Sequence, residues 1–184
     1  MYRSIFLALP LLAACAQAPL PKTALLPRDA VVGAGDPARS AVFSANAVLG
    51  QAHPVTGRPA DTARAIAQME FLAVDLPQNN NLISVSSTLV PDLMTARREW
   101  RGALDIAPEA PAQAVINALF AASRALDAGQ PDAAAAALPG NIFRRGGAAT
   151  LAQLAAPPRL PATASAAATA QQTLQAVTGV RLAL

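Results

Sequence analysis

Residues 59–76 read Pro-Ala-Asp-Thr-Ala-Arg-Ala-Ile-Ala-Gln-Met-Glu-Phe-Leu-Ala-Val-Asp-Leu. Pro59 suits the first turn of a helix, where its missing N–H has no partner to lose. Ala63, Ile66, Ala67, Phe71 and Val74 then recur at helical spacing, and Met69, Leu72 and Leu76 widen the apolar face. Pro77 and the run Asn79-Asn80-Asn81 break the pattern. The spacing predicts a helix over about 60–76.

The remaining chain follows the same logic. Its 184 residues suit one domain, and 53% of them are hydrophobic although only 4% are aromatic. Forty-seven are alanine, the strongest helix former and a weak strand former, so the composition argues for an all-helical protein. Sixteen prolines and ten glycines cut those helices short. Asp36 can cap and Pro37 can open a first helix through Ala38, Ala41, Val42, Ala45, Val48 and Leu49, ended by Gly50. Residues 82–90, with Ile83 and Val85, have no second β-rich segment to pair with and read as a connector. A third helix follows Leu89, Leu93, Ala96, Trp100 and Leu104, and a fourth runs from Pro111 through Val115, Leu119, Ala122 and Leu126 to Gly129. Shorter helices are expected over 131–138, 148–156 and 162–177, the last low in complexity and expected to dock weakly. The expected architecture is all-α, a small orthogonal or bundle-like array of five to seven short helices over 36–178, with a tail at 179–184.

Residues 124–138 resemble the helix–turn–helix junction of tetratricopeptide-type repeats. No second copy recurs at a period of about 34, so a plain helical hairpin stands beside that reading.

The first fifteen residues carry an address. Arg3 supplies a positive start and Ser4 to Leu12 an apolar run, too short for the roughly 20 residues a membrane span needs and right for a secretory signal. Leu12-Ala13-Ala14-Cys15 ends it with an aliphatic residue, two small residues and the single cysteine of the chain. This resembles the lipobox of bacterial lipoprotein precursors. The resemblance implies that residues 1–14 are a signal peptide, that the Cys15 thiol takes a diacylglyceryl group, and that cleavage frees its amine for a further acyl chain. Ala-x-Ala-like cleavage at Ala14 or Ala16 is the alternative. Ala16 in place of an aspartate implies the periplasmic face of the outer membrane. Residues 15–35, with Pro19, Pro21, Pro27 and Val32-Gly33-Ala34-Gly35, have no helical period and read as the lipidated cysteine followed by a flexible tether.

Charge and chemistry narrow the function classes. The formal charge is +3 and falls to +2 with removal of Arg3, and the only dense basic groups are Arg97, Arg98 and Arg101 and the pair Arg144–Arg145, so no nucleic-acid partner is expected. One cysteine and one histidine leave no internal disulfide and no two-histidine or cysteine-ligated metal site, and no cofactor motif is present. His53 reads as a solvated loop histidine, and Gly33-Ala34-Gly35 lacks the strand and third glycine of a dinucleotide loop. No catalytic residue is nominated outright. Glu70 breaks the pattern, because it follows Ile66 and Ala67 and precedes Val74 on the apolar side of the second helix. A buried carboxylate must be paired or neutral. Arg97 and Arg101, one turn apart on the third helix, are its expected partners in a structural ion pair, the alternative being a boundary position that reaches water, with Glu99 the same-charge control. Two functions follow as expectations: a non-catalytic binding or scaffold domain anchored by lipid in the envelope, meeting an envelope protein partner, or a peptidoglycan-related enzyme using an acid such as Glu70.

Overall fold

In this computed structural model the residues described are 23–31, 36–50, 56–78 and 86–182, those of 179–182 by backbone alone. Seven α-helices are found among them: α1 (Pro37–Leu49), α2 (Pro59–Asp75), α3 (Leu89–Ala103), α4 (Ala112–Asp127), α5 (Pro131–Ala136), α6 (Gly147–Ala155) and α7 (Pro161–Leu182). Two 3₁₀ turns, Arg28–Ala30 and Leu76–Gln78, complete the set. There is no strand among the described residues, only an isolated antiparallel bridge between Ile106 and Phe143. The fold is all-α, as the composition predicts.

Helix α2 is the hub. Twelve of its 17 residues are buried, and α1, α3, α4 and α6 all pack on it. Alanines at 63, 65, 67 and 73 keep its surface shallow, so neighbours can approach from several sides. Helix α3 turns Leu89, Leu93, Ala96 and Trp100 inward, the stripe read from the sequence. Its Trp100, with Ile66, Met69, Leu72, Ile116, Leu119 and Phe120, belongs to one continuous core.

Local signals set the helix ends. Asp36 Oδ1 accepts the Ala38 N–H at 2.9 Å, with Pro37 in the first turn of α1. Gly129 takes a left-handed φ of 69° after α4, and the Gln130 N–H reaches back to the Ala125 carbonyl at 2.8 Å, which closes the α4–α5 hairpin.

Three expectations are corrected. The tether expected over 15–35 is not free throughout, because residues 23–31 lie on the domain: Ala24 and Ala30 are 3% exposed and belong to the core. The Gln113 side chain on α4 accepts from the Leu25 N–H at 2.7 Å and donates to the Leu25 carbonyl at 3.0 Å. Asp29 takes two hydrogen bonds from Arg124, at 2.6 and 2.7 Å. A proline-rich segment has no helical period to reveal such docking, which rests on two small side chains and on partners 88 and 95 residues away. The last helix does not dock weakly either. Ala166, Ala167, Ala170 and Leu174 are buried where α7 meets α1 and α3, since small residues suffice when the partner helix comes close. Finally, α7 runs to Leu182, past the boundary expected at 178.

Candidate functional site

Glu70 sits in the middle of α2 and is 0% exposed. Arg97 and Arg101, one turn apart on α3, both reach it. Arg97 donates to Oε1 through Nε at 3.1 Å and Nη2 at 2.6 Å. Arg101 donates to Oε1 through Nη2 at 2.5 Å and to Oε2 through Nε at 3.3 Å. Between them on the helix, Trp100 donates its indole N–H to Oε2 at 3.0 Å. Burial alone would push the Glu70 carboxyl up, but the hydrogen bonds from Arg101 and Arg97 outweigh it and hold the group below the ordinary carboxylate range. Glu70 is therefore a charged, saturated acceptor. With both oxygens occupied and no exposed surface, it has no room to take a proton from a substrate.

The two arginines are not equivalent. Arg101 uses its whole fork, since Nη1 also donates to the carbonyls of Ala107 and Pro108 at 3.4 Å and Nη2 to that of Ala110 at 3.0 Å. It pins the chain after α3. Arg97 commits only Nε and Nη2, and among the described residues its Nη1 finds no acceptor. Two cations on one anion leave the cluster with a net positive charge.

That charge faces an open groove of about 500 Å³. Arg97, Arg98, Arg101 and Arg144 line it, together with Asp105 and the apolar side chains of Met94, Ile106 and Pro108. Arg144 arrives from far along the chain through the Ile106–Phe143 bridge. The Ala107 N–H donates to the Ile142 carbonyl at 2.8 Å and the Arg144 N–H to the Asp105 carbonyl at 3.0 Å. Asp105 itself adopts φ 50°, a left-handed conformation uncommon outside glycine and tolerated best by Asp and Asn. The two basic groups of the sequence thus contribute to one surface.

Glu99 is no inert control. Its carboxylate accepts the N–H groups of Ala162 at 3.1 Å and Thr163 at 2.7 Å, and the Thr163 hydroxyl at 2.6 Å. It caps α7 from another helix, a contact across some 63 residues that no local spacing announces. A second, smaller cleft of about 260 Å³ lies among the N-terminal segment, α1, α2 and α4. Its charges are mutually paired, Arg64 with Asp127 at 2.5 Å and Arg124 with Asp29 at 2.6 Å, and Arg124 also stacks 5.9 Å from the Phe120 ring centre.

Cys15 and His53 lie outside the described residues. Among the described residues, no group of three or more His, Cys, Asp or Glu side chains could hold a metal ion, and no helix is long and apolar enough to cross a membrane. No family model, curated protein or solved structure matches this chain.

Proposed function

We propose that the chain is a lipid-anchored protein of the cell envelope, held through Cys15 at the periplasmic face of the outer membrane, whose helical domain binds or scaffolds and does not catalyse. The anchor rests on Leu12-Ala13-Ala14-Cys15. The observation that carries the binding reading over the enzymatic one is the occupied Glu70 carboxylate, enclosed by Arg97, Arg101 and Trp100. An envelope hydrolase built on that acid needs an open carboxyl facing a second acid, and the partners here are cations.

Docking of residues 23–31 on the domain adds a distance. Thr23 lies eight residues after Cys15, and such a stretch spans at most about 29 Å when fully extended. An anchored domain is then held close to the headgroups.

Mass spectrometry of the membrane-extracted protein tests the anchor, with an acylated N-terminal Cys15 expected and retention in the membrane lost in Cys15→Ser. An unmodified N-terminus at Ala16 or later would overturn it. Incubation with purified peptidoglycan tests the other half: no soluble fragments are expected, and fragments released by the parent but not by Glu70→Gln would restore the enzymatic reading.

A further inference from the structure

We infer that the arginine groove above Glu70 binds a phosphate-headed amphiphile, an inference that rests on reading the domain as a binding module. The groove floor carries more positive charge than its carboxylate neutralises, since Arg97 and Arg101 share Glu70 alone. Both are held in place and shielded, with side chains 26% and 12% exposed, so their field is screened less than that of a free surface arginine. Arg97 presents a fixed guanidinium whose Nη1 has no acceptor among the described residues. Arginine meets phosphate oxygens with two parallel N–H donors, and its planar fork is already oriented here.

The rim adds to this charge. Arg98 and Arg144 line the same groove from α3 and from the bridged loop. The acids nearby do not cancel them: Asp105 is shared with Arg145 at 3.8 Å, and Glu109 stands 3.7 Å from Arg144 in a pair whose two side chains, Glu109 and Arg144, are each more than half exposed. The remaining wall is apolar, formed by Met94, Ile106 and Pro108. A groove of about 500 Å³ with cations at its floor and a hydrocarbon wall is larger than a bare phosphate ion requires. A headgroup attached to an alkyl chain uses both surfaces. The phosphate could arrive on a lipid or as a soluble ion, and the tail distinguishes the two.

The test is calorimetric titration of the full chain, purified in a non-ionic detergent, with hexyl phosphate and separately with inorganic phosphate. Hexyl phosphate is expected to bind at least about tenfold more tightly, because part of its tail leaves water. The double variant Arg98→Gln/Arg144→Gln, at two exposed positions, should weaken hexyl phosphate binding by about tenfold or more, since it removes charge-assisted hydrogen bonds. Arg28→Gln/Arg159→Gln removes the same charge from exposed positions that do not line the groove and should change nothing. Equal weakening in both pairs would show only an effect of net charge and overturn the site. Absence of binding overturns it too, and inorganic phosphate binding as tightly as hexyl phosphate overturns the amphiphile. A chain that is acylated at Cys15 yet fails these titrations refutes this inference and leaves the anchor standing.

Discussion

Burial and hydrogen bonding act on the Glu70 carboxyl in opposite directions, and the hydrogen bonds from Arg101 and Arg97 win. Because its folded pKa lies below the unfolded value of about 4.3, the carboxylate stabilises the fold fully above that pH. The stabilisation is lost as pH falls through the lower folded value. Asp75 behaves oppositely: burial, reinforced by the Asp36 charge, pushes its carboxyl up. It also ends α2, where a negative charge meets the negative end of the helix dipole. Asp75→Asn is therefore expected to raise stability at pH 7 by up to about 1 kcal/mol. Below about pH 3.9, where the parent carboxyl is protonated in both states, that gain should disappear, as urea unfolding at pH 7 and pH 3 would show. Glu70, Arg97 and Arg101 were legible in the sequence because an acid on an apolar helical face requires cations and two stood one turn apart. The indole N–H of Trp100 and the cap supplied by Glu99 were not, since both depend on which helices meet.

Helices were readable wherever apolar periodicity and capping residues agreed, as at Asp36-Pro37 and Pro59. They were less readable where alanine replaces larger side chains, because an alanine stripe signals burial only once a neighbour is close. The junction of α5 and α6 shows how close. A methyl group added at Gly147 would overlap the backbone carbonyl of Ala135, which cannot move aside as a flexible side chain could. Gly147→Ala should cost about 1–3 kcal/mol. Gly102, inside α3, has open space around the same position, so Gly102→Ala should stabilise by about 0.5–1 kcal/mol. Thermal unfolding of the pair gives shifts of opposite sign if the α5–α6 contact is as tight as described, and two upward shifts if it is not.

Across the whole molecule, α3 is the piece that joins the parts: it meets α2 through Glu70 and carries α7 through Glu99. The groove was not visible in sequence because Arg144 comes to α3 through a two-residue bridge, far too short to leave a strand pattern. Segment 23–31 was equally hidden, and its docking predicts a measurable effect. A chain beginning at Asp36 should melt about 3–6 °C below one beginning at Ala16, since the segment buries Ala24 and Ala30 and brings the Asp29–Arg124 pair. Equal melting temperatures would make it a free tether after all. The central claim is that Glu70 is a structural anion, neutralised and enclosed, which joins α2 to α3 and is unavailable for catalysis. Urea unfolding of Glu70→Ala beside Glu109→Ala tests it most directly, because Glu109 is an acid whose side chain is 77% exposed and holds Arg144 only loosely. Loss of about 3–5 kcal/mol is expected for Glu70→Ala, which strands two arginines against the core, and about 1 kcal/mol or less for Glu109→Ala. Equal, small losses from the two variants would contradict the account.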